Sequence, residues 1–338
     1  MAGLSLVTGA NGHLGNNVVR ALFGQGESVR AGVRNLSLSE PFEGLGCEVV
    51  RADLTDKASL LEALEGVDTL YQVAAVFRHW ARDPEKEIVN PNLEGTRNVL
   101  EAAAESGVRR VVYVSSIAAL DKSSPYRKGP FDEGSWNANY YGNPYYRSKV
   151  ESEKLAWRLA GELELELVSV LPSTIVGPNC FRLTPSMGVL KRVLDGDLPV
   201  DVGFRFNFVD VRDVAEGMIA AAERGRSGER YILAGDESMG ISRMVEIARE
   251  FNPALRIPSK VPKPVLLGAA SLMELGGKLT GREPEILRSQ VKMYYGVEQE
   301  FVIEKARREL GYAPRSSEEA VRGCFAYLVG REEERNAA

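Results

Sequence analysis

A tyrosine and a lysine four residues apart, Tyr145 and Lys149, form the pair with the clearest capacity for chemistry. They stand at the start of a predicted helix, which places both side chains on one face. A phenol with a pKa of about 10 is a poor acid or base at neutral pH, but a neighbouring ammonium group stabilises the phenolate and lowers that pKa. The pair can therefore move a proton on or off a carbonyl or alcohol oxygen. Because this spacing also occurs by chance, and Tyr146 is adjacent, the neighbouring motifs have to support the interpretation.

Two serines supply a second hydroxyl for the same oxygen. Ser115 and Ser116 follow a predicted strand over 110–114, and in open α/β sheets ligands bind at the carboxyl edge of the strands. The segment 121–144 is rich in Ser, Pro, Gly and Asn and is predicted to be a long loop over that edge, where loops are often functional. Either serine can hold a substrate oxygen on this reasoning alone.

A glycine-rich turn between an apolar strand and an amphipathic helix begins the chain. Gly9 allows a sharp turn after the strand, Gly12 lets backbone N–H groups approach a pyrophosphate, and Gly15 lets the helix pack closely on the strand. The phosphates would lie at the positive end of the helix. The alternative is a structural turn without a ligand. The predicted cofactor contacts in this turn are Gly9, Asn11, Gly12, His13, Leu14 and Gly15.

The elements that position these residues alternate between strands and helices. This alternation predicts an α/β fold, a Rossmann-type doubly wound parallel sheet over 1–178, to which a strand near 230–234 returns. The alternation is looser over 179–330, which we expect to form a smaller, mostly helical substrate-binding lobe. Residues 331–338 are predicted to be a charged tail.

Composition excludes several classes of function. The 338 residues carry a net charge of −5 with scattered cations, which predicts neither a nucleic-acid partner nor an anionic membrane. Three separated cysteines and two histidines predict no metal site, and the odd cysteine count favours a reducing, cytoplasmic location. The apolar stretch Pro264 to Leu275 is too short to span a membrane and contains Glu274, so it is interpreted as a core helix.

The combined motifs resemble the extended short-chain dehydrogenase/reductase family over nearly the whole chain. They are Thr8-Gly9-x-x-Gly12-x-x-Gly15, Asp53-Leu54, Asn92-x-x-Gly95-Thr96, Ser115-Ser116 and Tyr145-x-x-x-Lys149. Within that family, three stretches resemble the dihydroflavonol 4-reductase-like branch and its bacterial NAD(P)-dependent epimerase/dehydratase-type relatives. These are 132–136, 145–157 and 172–178.

The resemblance implies roles for individual residues. Tyr145 is expected to donate the proton, Lys149 to activate it and contact the cofactor ribose, and Ser116 to orient the carbonyl. Ser116 matches the family's serine and is therefore favoured over Ser115. The remaining expected cofactor contacts are Asp53 and Leu54 at the adenine, Ala74 and Ala75 after the fourth strand, and Pro172 at the nicotinamide carboxamide.

Arg34 predicts NADP(H) in preference to NAD(H). Dinucleotide folds that use NAD place an acidic residue about 20 residues beyond the glycine turn, where it binds the ribose 2′-hydroxyl. Here Arg34 and the uncharged Asn35 occupy that place. A guanidinium group can hold a 2′-phosphate through charge-assisted hydrogen bonds. The alternative is that Arg34 is a solvated residue at the strand end.

The substrate is expected to be a small carbonyl compound of apolar or aromatic character. Sugar-nucleotide members of the family carry Asn and His where this chain has Thr174 and Asp210, and flavonoid reductases carry Asn at the position of Asp121. Asp121, Phe77 and Trp80 are the candidate substrate contacts. The loop with His79 and Trp80 fits a substrate pocket and a surface loop equally well.

The sequence thus predicts an NADPH-dependent oxidoreductase that reduces a ketone or aldehyde, or catalyses the reverse oxidation, by hydride transfer. The first alternative is a nucleotide-sugar epimerase or dehydratase. The second is a non-catalytic protein that senses a dinucleotide, which would have no need of the Tyr–Lys pair. Either a monomer or a homodimer is compatible with the family.

Overall fold

Seven parallel strands form the main sheet of the structure, a computed structural model that describes residues 3–121 and 130–337. They are β1 (Leu4–Thr8), β2 (Val29–Val33), β3 (Glu48–Arg51), β4 (Val67–Gln72), β5 (Arg110–Val114), β6 (Glu166–Pro172) and β9 (Arg230–Leu233). Their spatial order is β3-β2-β1-β4-β5-β6-β9. The strand order reverses between β1 and β4, which is where open α/β sheets bind ligands.

Helices cover both faces of this sheet. One face carries α1 (His13–Gly24), α6 (Val211–Arg224) and α10 (Glu304–Leu310), and the other carries α2 (Lys57–Leu64), α3 (Asn90–Glu105) and α4 (Pro144–Glu162). Strands buried on both faces have continuous apolar runs rather than alternation, as in Arg110–Val114, where every residue is buried. The predicted Rossmann-type doubly wound fold is confirmed, including the strand near 230–234, which pairs with β6 in parallel.

A second, three-stranded sheet lies in the later part of the chain. It contains β7 (Thr174–Val176), β8 (Arg205–Asp210) and β10 (Ser238–Gly240). The helices α5 (Pro185–Asp195), α7 (Ile241–Ala248) and α11 (Ser317–Ala337) share an apolar core with this sheet. Two further helices, α8 (Lys263–Thr280) and α9 (Arg288–Tyr294), pack on each other and on Phe204. The division at residue 178 remains a prediction, since residues 179–330 also supply α6, β9 and α10 to the main sheet.

The structure differs from the sequence-based expectations at two helices. The segment predicted as a tail continues α11 as far as Ala337. The stretch Pro264 to Leu275 is helical, but its interpretation as a core helix is wrong, because within α8 only Leu266, Ala270 and Gly277 are buried. An apolar sequence does not determine which face of a helix meets the core. Within the described part of the chain, no helix has the length and apolar character needed to cross a membrane.

Candidate active site

The glycine turn between β1 and α1 is built from close backbone contacts. Gly9 has a φ of +60°, and a Cβ atom there would lie 2.9 Å from the Cα of Ala74. A Cβ atom on Gly15 would lie 2.4 Å from the carbonyl oxygen of Gly9. Any side chain at these two positions would therefore force the strand, the turn and the helix apart. The structure accounts for both glycines by their surroundings.

The N-terminus of α1 is available to an anion. Its N-cap is Gly12, which offers no side-chain cap, and the first turn contains no acidic residue. The N–H groups of a first helical turn lack partners within the helix, and the helix dipole adds positive potential there. This cradle fits the pyrophosphate of a dinucleotide cofactor, which would be held by the backbone from Gly12 to Gly15.

Three side chains of the predicted turn contacts are occupied by the protein itself. The Nε2 atom of His13 lies 3.0 Å from the carbonyl oxygen of Pro178, and burial lowers the pKa of His13 to about 4. Leu14 belongs to the apolar core, and the amide of Asn11 donates to the carbonyl of Leu38 over 3.4 Å. In this arrangement, the backbone of these residues, and not their side chains, would be available to a cofactor.

The predicted adenosine contacts lie beyond the turn on neighbouring strands. Arg34 directly follows β2 and is exposed, and none of the described residues holds its guanidinium group. Asp53 accepts hydrogen bonds from the N–H and the hydroxyl of Thr55. Leu54 packs against Gly95 so closely that a Cβ atom added to Gly95 would lie 2.9 Å from the side chain of Leu54. Of the predicted contacts, Arg34 is therefore the cation free to meet a phosphate.

The other predicted cofactor contacts lie at the carboxyl ends of β4 and β6. Ala74 is half-buried and Ala75 exposed, and the N–H of Ala74 donates to the hydroxyl of Thr8 over 3.2 Å. Pro172 is buried at the end of β6 and pairs with Leu233. The chain thus brings these residues to the same edge of the sheet as the glycine turn.

Tyr145, Ser116 and Lys149 converge at the carboxyl end of β5. Asn143 caps α4 by accepting the N–H of Tyr145 over 3.0 Å, which fixes where the helix begins. One turn later, the Nζ atom of Lys149 donates to the carbonyl oxygen of Val114, the last residue of β5, over 3.2 Å. The hydroxyl of Ser116 lies near enough to the phenol of Tyr145 to act on its pKa. The three candidates proposed from the sequence are brought together.

Burial shifts the proton affinities at this cluster. It raises the pKa of Tyr145, while the Ser116 hydroxyl acts to lower it. Burial also lowers the pKa of Lys149 to about 8, although the nearby Glu153 carboxylate raises it. Burial therefore keeps the proton on the phenol near pH 7, whereas the sequence led us to expect that the ammonium group would lower this pKa; Lys149 instead donates to the carbonyl oxygen of Val114.

Ser115 has a different use from its neighbour. Its hydroxyl donates to Oε2 of Glu153 over 2.6 Å. Glu153 is fully buried, and its other donors are the hydroxyl of Ser169 at 2.8 Å and two nitrogens of Arg230 at 2.8 and 3.0 Å. Ser115 therefore completes a buried ionic network one helical turn beyond Lys149. This network was not predicted from the sequence, although Glu153 stands four residues after Lys149.

Aromatic rings cover Tyr145. The ring centroids of Phe77 and His79 lie 4.8 and 4.9 Å from that of Tyr145. Burial lowers the pKa of His79 to about 4, so its ring is neutral near pH 7. The hydroxyl group of Tyr146 is hydrogen-bonded to that of Tyr294. The geometry assigns Phe77 and His79 to the wall beside Tyr145.

Trp80 and the remaining candidates lie further from this cluster. Trp80 lines a separate cavity of about 240 Å³ with Arg82 and Gly281. Asp121 is half-buried at the border of the described residues, since 122–129 of the predicted loop lie outside them. Asp210 is fully buried, caps α6 and holds the guanidinium of Arg212 at 2.6 Å. The charge of Asp210 is therefore balanced within the protein. Across residues 3–121 and 130–337, no cluster of three or more histidine, cysteine, aspartate or glutamate side chains is placed to hold a metal ion.

Comparisons with known proteins agree with this geometry. A sequence model of the NAD dependent epimerase/dehydratase family matches residues 5–234. Sterol demethylase protein B of Methylococcus capsulatus is 34% identical over 335 residues, which is 97% of this chain and 98% of that protein. A putative dihydroflavonol 4-reductase of Synechocystis sp. is 32% identical over 332 residues, with coverage of 95% and 93%. The crystal structure of gox2253 has a TM-score of 0.83 and 35% identity, covering 97% of this chain and 98% of that one.

The chain belongs to the NAD dependent epimerase/dehydratase family. It is an NAD(P)-dependent oxidoreductase of the extended short-chain dehydrogenase/reductase type, and the resemblance to dihydroflavonol 4-reductase-like proteins is confirmed.

Proposed function

We propose that this protein is an NADPH-dependent reductase that converts a ketone or aldehyde to an alcohol, or catalyses the reverse reaction. The observation that carries the proposal is the convergence of three groups at the end of β5. Lys149, one helical turn after Tyr145, donates to the carbonyl oxygen of Val114, and Ser116 follows that strand closely enough for its hydroxyl to act on the pKa of Tyr145. This cluster lies at the carboxyl edge of the sheet that also carries the glycine turn. A site for a proton donor and a cradle for a dinucleotide are therefore neighbours.

Each residue of the cluster has a separate role in the proposed reduction. The bound nicotinamide supplies a hydride to the carbonyl carbon. Ser116 holds the carbonyl oxygen by a hydrogen bond, and Tyr145 donates its hydroxyl proton to that oxygen as negative charge develops. The ammonium group of Lys149 stabilises the phenolate that remains on Tyr145. One hydride and one proton together convert the C=O group to CH–OH.

Arg34 supports the proposed preference for NADPH. Arg34 is exposed at the end of β2. Neither position 34 nor position 35 holds an acidic residue, which would repel a 2′-phosphate. The side chain of Asn35 is occupied by the N–H and the hydroxyl of Ser37. This leaves the guanidinium group as the local partner for a phosphate.

An apolar or aromatic carbonyl substrate fits the surroundings of Tyr145. Phe77 and His79 supply ring surface, and the neutral state of His79 adds no charge. Two relatives have names that refer to a sterol and to a dihydroflavonol. Asp210, which replaces the histidine of sugar-nucleotide members, is fully buried and bound to Arg212. These observations favour an apolar carbonyl over a diphosphate sugar.

The test is steady-state oxidation of NADPH and of NADH with a panel of apolar and aromatic ketones and aldehydes. We expect turnover with at least one of them and a kcat/KM ratio that favours NADPH by about tenfold, the value of one charge-assisted hydrogen bond. Arg34→Ala should remove that preference, whereas Arg78→Ala, an exposed arginine in the loop after β4, should leave it unchanged.

Three results would contradict the proposal. A preference for NADH in the unmodified protein would refute the role of Arg34. Saturable epimerisation or dehydration of a UDP- or GDP-sugar would establish the alternative enzyme. Tight dinucleotide binding without turnover of any carbonyl or sugar would indicate a sensor.

A further inference from the structure

Helix α8 (Lys263–Thr280) directs an apolar face away from the protein. Leu272, Leu275 and Leu279 have exposed fractions of 72, 58 and 77%, and Val265 has one of 60%. At 100° per residue, these side chains fall on one side of the helix, with Gly268 and Gly276 between them. The buried residues Leu266, Ala270 and Gly277 occupy the opposite side. The helix is therefore apolar where a surface helix is ordinarily polar.

Of the three charged residues of α8, Lys278 borders this apolar face, whereas Lys263 and Glu274 lie on the side that packs on the protein. Glu274 accepts the N–H of Arg288 over 2.7 Å, and the ammonium group of Lys263 lies 5.8 Å from the ring centre of Tyr295. Lys278 is exposed at the border of the face, near the end of the helix. A contiguous apolar surface with a polar margin marks an interaction site.

The local charge distinguishes between possible occupants. Segment 256–292 contains seven lysines and arginines and three glutamates, a net charge of +4, whereas the whole chain has a net charge of −5. Its basic residues are Arg256, Lys260, Lys263, Lys278, Arg282, Arg288 and Lys292. A second copy would bring two such basic regions together, which opposes self-association. An anionic bilayer complements both the charge and the apolar face.

The same helix ends beside the loop that follows β4. Gly281, which follows α8, lies so close to Arg82 that a Cβ atom there would be 2.5 Å from a guanidinium nitrogen. Thr280 and Gly281 line one cavity with Trp80. Trp80 follows His79, whose ring contacts Tyr145. The apolar face thus leads towards the loop that forms the wall of the site.

We propose that α8 is a membrane-docking helix that lies in the interface of an anionic bilayer. Leu272, Leu275 and Leu279 enter the boundary of the acyl chains, and the exposed cations beside the face, Lys278 and Arg282, contact lipid phosphates. The helix lies along the membrane surface and does not cross it. The expectation of no membrane partner rested on the net charge of the whole chain. That value averages over all residues and does not reveal the positive charge of segment 256–292.

The experiment is flotation of the full chain with vesicles of phosphatidylcholine alone and of phosphatidylcholine with about one-third phosphatidylglycerol, at low and high salt. We expect binding to the anionic vesicles that weakens as salt rises. The double variant Leu272→Ser/Leu279→Ser should lower the partition coefficient at least about tenfold. Lys278→Glu/Arg282→Glu should abolish the preference for anionic lipid.

The matched control is Leu183→Ser, which removes a leucine that is 50% exposed outside this segment and should not change binding. Circular dichroism verifies that each variant is folded. Absence of binding by the unmodified chain, or equal binding by the leucine double variant, would overturn the proposal. So would a dimer, detected by light scattering, that the double variant converts to monomer while no form binds vesicles. The readout uses no turnover, so its result is independent of the proposed reductase activity.

Discussion

The adjacent serines Ser115 and Ser116 allow structural and chemical roles to be separated by one pair of substitutions. Ser115 donates over 2.6 Å to the buried Glu153 carboxylate, whereas the Ser116 hydroxyl lies beside the Tyr145 phenol and acts to lower its pKa. We therefore expect Ser115→Ala to cost mainly stability and Ser116→Ala to cost mainly rate. Both variants replace a serine by alanine directly after the same strand, so each is a control for the other.

The magnitude for Ser115→Ala follows from the network that remains. A hydrogen bond to a charged group contributes about 1.5–3 kcal/mol. Glu153 keeps the hydroxyl of Ser169 and two nitrogens of Arg230, so the loss should lie near the lower limit, about 1.5–2 kcal/mol. For a chain of 338 residues this lowers Tm by about 3 °C. The value of kcat/KM measured well below Tm should fall less than about threefold.

Ser116→Ala should show the opposite balance. Its hydroxyl also accepts the N–H of Ala118 over 3.1 Å, a cap whose loss costs about 1 kcal/mol. Removing a donor to the reacting oxygen lowers kcat about a hundredfold or more. Steady-state kinetics and differential scanning fluorimetry on both variants measure the two quantities, and Ser116→Thr, which keeps the hydroxyl, should recover part of the rate. If Ser115→Ala lost as much kcat/KM as Ser116→Ala, the assignment of the two hydroxyls would be wrong.

Three further predictions concern the same region. Tyr145→Phe should lower kcat at least about a hundredfold while fluorescence titration still detects cofactor binding. Tyr146→Phe should retain activity, since that hydroxyl is bound to Tyr294, and the reverse ranking would place the proton donor one residue later. Because burial lowers the pKa of Lys149 to about 8, kcat/KM for reduction should fall as pH rises above about 8, when the ammonium charge is lost. Lys149→Arg should move that fall to higher pH, and an unchanged profile would assign it to another group. His13 has a pKa of about 4 in the folded protein and 6.5 in the unfolded chain, so the unfolded state binds more protons between these values. The free energy of unfolding should therefore decrease from about pH 6.5 to 4, and urea titrations should show a smaller decrease in His13→Gln; an identical decrease would exclude this histidine.

The parts of the candidate site that depend on short spacings could be predicted from the sequence. The turn from Gly9 to Gly15, the helical pair Tyr145 and Lys149, and the serines after β5 are each formed within a few residues. Over such distances, the period of a helix or the end of a strand determines where side chains point. The structure brings these residues together, while their chemical roles remain predictions.

The parts that depend on distant contacts could not be predicted. Arg230 reaches Glu153 across 77 residues, and His13 meets Pro178 across 165. No periodicity relates such residues, because tertiary packing alone makes them neighbours. The prediction that α8 is a core helix failed for a related reason. Hydrophobicity identifies a helix that needs a partner, but it does not show whether that partner is the protein core.

The network around Glu153 has a consequence for the newly synthesised chain. Arg230 binds Glu153 and the carbonyl oxygens of Glu133 and Ser135, all supplied about 75 to 100 residues earlier. Domains fold from the N-terminus during synthesis, so the glycine turn and Lys149 emerge from the ribosome well before this arginine. Until β9 joins the sheet, the Glu153 carboxylate lacks the two nitrogens that Arg230 donates to it in the folded protein. Translation must therefore proceed beyond residue 230 before the network around Glu153 is complete, so the nascent chain contains the glycine turn long before the arginine that balances this buried carboxylate.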